Sequence, residues 1–442
     1  MIKYIKLHNF LSLNNVKFDF ASKDRAKKLV LLYGENGCGK TNFVKSISFL
    51  RESLYSLVTQ RKMAFDMADR FEGYDSSNQL GKAMRLLKYK SISDEMRETC
   101  TIGSAEETCI EIGFTTKERG NGYYIIRYKD EQFTYEKLYY KKKGIKSGVV
   151  YEIHSAKDLK IKDIAKVCLF EDGQEALLEK IYEYWGKHTL LSIVNNDKEE
   201  QKYDYVDGTY TRLVLDVIEE IMAYEIIASS NASDDILAGT VNILDSLNMG
   251  IISQSDERYL DNCEKRLRIY LTESFSDIMD VHYDRKYKNG YIQYTLYIDK
   301  MINGERKTIS IEHESNSIKH FAEIMESLAY ASIGGIVVYD EVGSGIHDHL
   351  LSSVIKSLTE NMLGQLIMTT HNTQLIEYAL PENCYVIRTG YGGVKQVNCF
   401  TDFGIKPHDN VKDMYLRGLF GGIPETSLDF SDMYDVYIIQ HR

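Results

Sequence analysis

Eight consecutive residues near the start of the chain have the types and spacing of a phosphate-binding loop. They follow the pattern G-x-x-x-x-G-K-[ST] and are Gly34, Glu35, Asn36, Gly37, Cys38, Gly39, Lys40 and Thr41. In such a loop the glycines let backbone N–H groups turn toward phosphates, Lys40 reaches the β and γ phosphates, and the Thr41 hydroxyl ligates Mg²⁺. The spacing predicts a site for a nucleoside triphosphate, with the six residues from Asn36 to Thr41 as its ligands.

Two adjacent carboxylates follow a hydrophobic run much later in the chain. Residues 335–339 read as a buried strand, and Asp340 and Glu341 come directly after it. In this position Asp340 would hold Mg²⁺ through water, and Glu341 would polarise the water that attacks the γ-phosphate. A strand that ends in Asp-Glu also suits a simple turn. The phosphate loop favours the catalytic interpretation, in which the pair forms a Walker B motif.

A third buried strand, residues 366–370, ends at His371. A single histidine is by default a hydrogen-bonded structural residue. In P-loop enzymes of the ABC type a histidine in this place contacts the γ-phosphate. Its spacing behind Glu341 therefore predicts that His371 senses whether ATP or ADP is bound.

The strands and helices that must position these residues come from both ends of the chain. Alternation of apolar and polar residues predicts strands at 3–10, 16–20, 29–33, 109–115, 123–128 and 133–140, and a helix at 41–61. The last three strands are joined by turns of hairpin length, as in an antiparallel meander. The runs at 334–341 and 366–370 are apolar enough for strands that are buried on both faces.

Residues 155–275 carry few strand signals. The 3.6-residue spacing of apolar residues predicts amphipathic helices at 176–185, 211–228 and 256–276. We interpret this segment as an inserted helical lobe. The sequence thus predicts an α/β fold with a mixed sheet, an antiparallel meander and flanking helices, divided at 1–154, 155–275 and 276–442.

Composition narrows the classes of function. The net charge of −11 opposes constitutive, non-specific attraction to nucleic acid. A lysine-rich stretch with two tyrosines, residues 137–146, suits a solvated hairpin turn better than a nucleic-acid strip. The seven cysteines form no C-x-x-C pair, and no apolar run is long enough for a membrane span, so we expect a reduced, cytoplasmic compartment.

Cys38 gives a hypothesis of its own, because it lies within the phosphate loop. Amide dipoles directed at the thiol would lower its pKa. Alkylation of the thiol would then block ATP binding, and bound ATP would protect it.

Three motifs together resemble those of a known family. They are residues 33–37, residues 340–347 and residues 369–372. The combination is similar to ABC-type ATPases of the SMC and OLD lineage, and closest to stand-alone ATPases of antiphage systems such as PARIS, Septu and the abortive-infection operons. The resemblance covers residues 1–150 and 260–425, where residues 418–424 also look like a C-terminal element of that group. It implies a slow ATPase that uses ATP and Mg²⁺.

The resemblance also implies a homo-oligomer built on head-to-tail dimers. In that family a Ser-rich loop that opens a helix in one subunit completes the γ-phosphate site of its partner. The matching stretch here is residues 314–319, which offers Ser315 in trans, although the usual glycine is replaced by Asn316 and Ser317. An ordinary Ser-capped helix is the alternative. Residues 344–347 stand where the family has its D-loop, with a solvated turn as the alternative.

The leading functional prediction is an ATPase that acts as a scaffold or sensor in bacterial antiphage defence. Because only 71 residues follow His371, we expect a nuclease or toxin encoded separately rather than a fused TOPRIM domain. The alternative is a DNA-binding repair or chromosome-maintenance ATPase of the SMC/RecF type, which requires a basic groove. A transporter subunit and a P-loop kinase fit the motifs less well.

Overall fold

A computed structural model describes residues 1–424 apart from 24, 70–89, 119, 145–147, 201–202, 228–243, 245 and 344. Its strands are β1 (Ile2–His8), β2 (Val16–Asp19), β3 (Ala21–Ser22), β4 (Arg25–Ala26), β5 (Leu29–Gly34), β6 (Thr108–Thr115), β7 (Asn121–Lys129), β8 (Gln132–Lys141), β9 (Val149–Ile153), β10 (Tyr224–Ile227), β11 (Met249–Ser253), β12 (Ile278–Lys288), β13 (Tyr291–Ile302), β14 (Glu305–Ser310), β15 (Ile336–Tyr339), β16 (Gln365–Thr369), β17 (Cys384–Thr389) and β18 (Lys395–Cys399). Its α-helices are α1 (Lys40–Asp69), α2 (Ile92–Thr99), α3 (Ile161–Ile164), α4 (Glu171–Tyr184), α5 (Leu190–Glu200), α6 (Tyr203–Thr209), α7 (Arg212–Met222), α8 (Glu257–Ser274), α9 (Asn316–Ser332), α10 (Asp348–Asn361), α11 (Leu375–Tyr378) and α12 (Val411–Leu416).

The central sheet has the strand order β10-β15-β16-β5-β17-β18. Its first five strands are parallel, and β18 returns antiparallel to β17. Every residue of β5, β15 and β16 is buried, as expected for parallel strands covered on both faces. The carboxyl ends of these three neighbouring strands lie at one edge of the sheet, so the topology brings the three predicted motifs together.

The central sheet separates two hydrophobic cores, because successive side chains of a strand point to opposite faces. Val30 and Leu32 of β5 belong to the core shared with the N-terminal sheet and the helices of the middle segment. Leu29, Leu31 and Tyr33 belong to the core shared with β11 to β13, α8 and α9. The two ends of the chain therefore build one sheet, as the sequence predicts.

The remaining strands form two larger antiparallel sheets and one short hairpin. The order β2-β1-β6-β7-β8-β9 confirms the predicted meander and adds β1 and β2 to it. Strands β11, β12 and β14 all pair with β13, and α8 packs against β12. The architecture is α/β with mixed sheets and flanking helices, which confirms the predicted fold class.

The structure corrects the middle of the chain. The helix predicted at 211–228 ends at Met222, and Tyr224–Ile227 forms β10, which pairs in parallel with β15. Pairing with β15 decides this segment, since its aromatic and β-branched residues suit a strand once a partner is present. The middle segment is therefore not helical throughout, because it supplies an edge strand to the central sheet. The boundaries at 154/155 and 275/276 stay a prediction.

Among the described residues, none of the helices combines the length and the apolar character that crossing a bilayer requires.

Candidate nucleotide-binding site

The phosphate loop joins β5 to α1 through backbone that favours glycine. Gly34, Gly37 and Gly39 have φ angles of 145°, 77° and 113°. A Cβ on Gly34 would lie 2.6 Å from both Cys38 Sγ and the Ile387 carbonyl oxygen, so a side chain has no room there. The loop ends where α1 begins at Lys40, which places free helix N–H groups at its mouth.

Lys40 is buried at the start of α1. Its ammonium donates to the carbonyl oxygens of Gly34 at 2.8 Å and Glu35 at 3.0 Å. Burial lowers the pKa of Lys40, and its electrostatic interactions with the nearby acidic groups of Cys38, Glu341, Asp340 and Glu35 oppose that shift. The ammonium thus lies within the electrostatic reach of both Walker B carboxylates.

Asp340 is 1% exposed at the end of β15. Its backbone N–H donates to Ile227 of β10 at 2.8 Å, and its Oδ1 accepts a hydrogen bond of 2.6 Å from Thr369 Oγ1. Its Oδ2 is buried and has no hydrogen-bond partner among the described residues. A buried carboxylate oxygen without a donor is unusual, and carboxylate oxygens are ligands that Mg²⁺ accepts, so the residues present fit this ion.

Glu341 has a left-handed backbone, with φ of 54°. This conformation is costly for a non-glycine residue and persists where its surroundings impose it. The Glu341 N–H donates to Thr369 Oγ1 at 2.7 Å, and the next N–H, of Val342, donates to the Thr369 carbonyl at 3.0 Å. Its side chain is half-buried and remains accessible to water.

His371 is exposed and lies two residues after the end of β16. Partial desolvation and the positive charge of Lys40 lower its pKa, while Glu341 opposes the shift. His371, Lys40 and Glu341 therefore influence one another, and the imidazole is neutral at pH 7. A neutral ring offers one donor and one acceptor nitrogen.

The hypothesis about Cys38 is wrong. The side chain is 1% exposed, and burial raises the pKa of the thiol although Lys40 and Lys395 act in the opposite direction. Desolvation outweighs the favourable charges because the thiol packs inside the loop rather than at its mouth. A reactive thiolate is not expected at this position.

Ser315 lies at the N-cap of α9 and is exposed. Its hydroxyl accepts from the Ile318 N–H at 3.4 Å, and its own N–H donates to Glu314 Oε2 at 3.3 Å. A Cβ on Gly345 would lie 4.0 Å from Ser317 Oγ, so the start of α9 and the D-loop position are neighbours. Within one chain Ser315 contacts its own helix and is not hydrogen-bonded to the phosphate loop.

Three contacts of the site escape sequence reasoning. Thr369 touches both Walker B residues, as described above. Lys395 of β18 donates to the Gly37 carbonyl at 3.4 Å and to Thr389 Oγ1 at 2.7 Å. A Cβ on Gly422 would lie 3.1 Å from Gly34 Cα, so the predicted C-terminal element packs directly against the loop. No local pattern signals these contacts, because each depends on which strands are neighbours.

Two lysines of the lysine-rich stretch around β8 are paired with carboxylates. Lys137 pairs with Glu152 at 3.0 Å, and Lys142 pairs with the buried Asp216 at 3.0 Å. Tyr140 is buried and hydrogen-bonded to Thr116, so it presents no face to a nucleobase. Residues 145 and 146 lie outside the described residues. The contacts favour a structural hairpin over a nucleic-acid strip.

Two solved structures align with most of this chain at low sequence identity. The SMC head bound to the C-winged helix domain of ScpA is 13% identical, with a TM-score of 0.43, and the alignment covers 90% of this chain and 96% of that one. The recombination mediator RecF with ATP is 13% identical, with a TM-score of 0.39, and the alignment covers 90% of this chain and 99% of that one. None of the curated proteins compared with the chain matches it.

A family match spans both halves of the site. Residues 29–377, well over half of the chain, match the family described as "AAA domain, putative AbiEii toxin, Type IV TA system". The matched range begins at β5 and ends within α11, so it includes the phosphate loop, the Walker B residues and His371. The chain therefore belongs to this family of AAA domains.

Proposed function

We propose that the chain binds ATP with Mg²⁺ and hydrolyses it. The unpartnered Oδ2 of Asp340, at the same sheet edge as Lys40, carries this proposal, since a buried acceptor without a donor marks a place prepared for a cation. Lys40, Thr41 and Asp340 hold the metal and the phosphates in this scheme. Bound Mg²⁺ would neutralise charge on the phosphates.

Glu341 and His371 complete the catalytic group. Glu341 orients a water molecule toward the γ-phosphate and accepts a proton from that water. Its half-buried side chain is compatible with this role. The lowered pKa of His371 favours the neutral ring, whose N–H donates a hydrogen bond to an oxygen of the γ-phosphate. In this scheme, the loop after β5 and Asp340 after β15 hold the phosphates and the metal. Glu341 activates water, and His371 beyond β16 contacts the γ-phosphate.

A head-to-tail dimer completes the site in this proposal. The exposed start of α9 presents Ser315, Asn316 and Ser317 together with unpaired helix N–H groups, which attract anions. In the dimer these groups approach the γ-phosphate bound by the partner subunit. The absence of the usual glycine favours slow turnover, because a residue with a side chain keeps its backbone farther from a phosphate.

The biological role that we propose is control of a separately encoded effector, a nuclease or toxin, in antiphage defence. Two observations support it: the motif resemblance to stand-alone defence ATPases and a family description that names a toxin and a toxin–antitoxin system. The net charge of −11 and the paired lysines Lys137 and Lys142 weaken the alternative of DNA repair. ATP occupancy would hold the assembly until infection is sensed.

The test combines nucleotide binding with phage challenge. Fluorescent ATP should bind the wild type, and Lys40→Ala should lose this binding, because the variant lacks the phosphate-contacting ammonium. Cells that carry the native locus should resist phage with the wild type and become sensitive with Lys40→Ala. Lys395→Ala, which removes a long contact to the Gly37 carbonyl and a hydrogen bond to Thr389 Oγ1, serves as a milder comparison. Protection that survives Lys40→Ala at equal protein level would contradict a nucleotide-controlled role.

The dimer is tested separately. Ser315→Arg places a bulky cation at the exposed start of α9 without touching the loop of its own chain. It should leave ATP binding intact and abolish ATP-dependent dimerisation, measured by sedimentation. Unchanged dimerisation in this variant would exclude α9 from the interface.

A further inference from the structure

The hydroxyl of Thr369 lies between the two Walker B residues. Thr369 is fully buried at the end of β16, where it pairs with Leu32 of β5 on one side. Its Oγ1 donates to Asp340 Oδ1 at 2.6 Å and accepts from the Glu341 N–H at 2.7 Å. A hydroxyl has a single proton to donate, and here that proton is committed to Asp340.

The first consequence concerns the carboxylate of Asp340. Because Oδ1 is held by Thr369, rotation of the carboxylate is restricted, and Oδ2 is the oxygen left without a partner among the described residues. The hydrogen bond therefore distinguishes two oxygens that are chemically equivalent in a free carboxylate. One faces the protein, and the other is available to a cation.

The second consequence concerns the backbone of Glu341. The same hydroxyl accepts the Glu341 N–H, and the Thr369 carbonyl accepts the Val342 N–H at 3.0 Å. These two bonds fix the turn in which Glu341 adopts a φ of 54°. A left-handed non-glycine residue needs such restraint, since otherwise it relaxes to a more favourable conformation.

We propose that Thr369 is a positioning residue of the site, whose hydroxyl presents Asp340 Oδ2 to the metal and holds Glu341 in place. The proposal rests on the proposed function, the binding and hydrolysis of Mg·ATP. It assigns Thr369 no contact with substrate. Groups that orient metal ligands contribute about 10- to 100-fold to metal affinity or activity when removed.

A packing role is the competing explanation, because a β-branched residue suits a buried strand position. The two explanations differ in what they require of the side chain. Thr369→Val keeps the branched shape and removes the hydroxyl. Thr369→Ser keeps the hydroxyl and removes a methyl group. Thr108→Val is the matched control. Thr108 is also fully buried in a strand, β6 of the N-terminal sheet, and its hydroxyl donates to the Asn9 carbonyl at 3.0 Å.

The experiment measures Mn²⁺ binding by electron paramagnetic resonance, with the full chain and a non-hydrolysable ATP analogue. Thr369→Val should weaken Mn²⁺ binding by about tenfold or more, whereas Thr369→Ser and Thr108→Val stay within about twofold of wild type. Binding of fluorescent ATP without divalent cation should be equal in all four proteins. With saturating Mg²⁺, turnover should fall in Thr369→Val and be restored in Thr369→Ser, because only the serine still holds Glu341.

Wild-type Mn²⁺ affinity in Thr369→Val would overturn the proposal, and so would an equal loss in Thr369→Ser. If Thr369→Val does not fold, Thr369→Cys replaces it, because a thiol is a weak donor of similar size. The same result is expected for Thr369→Cys, and wild-type affinity in that variant overturns the proposal. A wild-type protein that binds neither Mn²⁺ nor the analogue would instead overturn the proposed function itself.

Discussion

Two buried carboxylates, Glu136 in the N-terminal sheet and Asp340 in the central sheet, have opposite surroundings. Both side chains are almost inaccessible to water. Glu136 accepts hydrogen bonds from Tyr124, Tyr151 and Trp185 at 2.8–2.9 Å and from the Leu190 N–H at 2.7 Å. Both of its oxygens are thus occupied by donors of the protein.

Asp340, in contrast, receives one side-chain donor, Thr369, and its Oδ2 receives none among the described residues. The saturated carboxylate joins β7, β8 and β9 to the start of α5, and it is a structural element. Burial of the Asp340 carboxylate carries a desolvation cost, and no donor among the described residues offsets it at Oδ2. Burial alone does not distinguish the two acids, whereas the number of hydrogen-bond donors does: Glu136 is fully bonded to the protein, and Asp340 keeps one oxygen for the cation that we propose.

The largest expected effect is on turnover at the open site. Glu341→Gln should reduce ATP hydrolysis by about 10²- to 10⁴-fold and retain ATP binding, because it removes the proposed general base and keeps the shape of the side chain. Steady-state phosphate release with a parallel binding titration measures both. Glu377→Gln, at an exposed residue paired with Lys412 at 2.7 Å, is the control and should hydrolyse normally. Normal turnover in Glu341→Gln would show that another group activates the water.

The next effect is on stability at the saturated site. Glu136→Ala should lower the free energy of unfolding by about 3–5 kcal/mol, because it leaves the Trp185 and Leu190 N–H groups buried without an acceptor. Denaturant unfolding measures the loss. Glu152→Ala removes a partly exposed acid of the same sheet, paired with Lys137, and should cost about 1 kcal/mol or less. Equal stability of the two variants would mean that donor saturation contributes little.

A third effect depends on pH. Buried His188 contacts Ser56 and Gln60, each at 2.8 Å, and burial, followed by the charges of Lys187 and Arg61, lowers its pKa from 6.5 to about 4. The unfolded chain therefore binds a proton that the folded chain excludes. The contribution of neutral His188 to the free energy of unfolding is complete above pH 6.5. This contribution falls by up to about 3 kcal/mol as the pH drops from 6.5 to 4.

His188→Gln should lose stability at pH 7 and show a weaker dependence on pH in this window. Urea midpoints at pH 7.0 and pH 4.5 measure the difference. His154→Gln, at an exposed histidine, should follow the wild type. A wild-type pH dependence in His188→Gln would assign the acid sensitivity to other groups.

The smallest expected change in the free energy of unfolding is the most direct test of the contrast between Asp340 and Glu136. Asp340→Asn should change the free energy of unfolding by less than about 1 kcal/mol, because Asn retains the acceptor for Thr369 and replaces one unpartnered atom with another. Mn²⁺ binding should nevertheless be lost. A large destabilisation without metal would show that Asp340 is as structural as Glu136.

Local patterns suffice for the parts of the site that lie on single segments. The phosphate loop, the strand before Asp340 and the strand before His371 are recognisable because apolar runs with polar ends are local features. The contacts of Thr369, Lys395 and Gly422 are not, since they depend on the order of strands that are distant in sequence. Strand β10 was predicted as helix for the same reason: its pairing with β15 is a tertiary contact.

Cys38 shows a different limit. Its position in the loop is correctly predicted, but the direction of its pKa shift depends on burial, which the loop pattern does not reveal. The predicted fold class is confirmed, because it rests on apolar runs at both ends of the chain. The helix predicted at 211–228 is wrong at its C-terminal end. The four residues Tyr224–Ile227 follow α7 after a single residue and form strand β10 instead.

The position of β5 has a consequence for synthesis. This strand, residues 29–34, ends up between β16 and β17, whose residues are 365–369 and 384–389. At about 5–20 residues per second, a ribosome needs roughly 20 to 70 s to produce these neighbours after β5 has emerged. During that interval a wholly apolar strand has no partner in its own sheet and is a natural client for chaperones. In the proposed function, the complete nucleotide site therefore forms only after Asp340 and His371 have been synthesised.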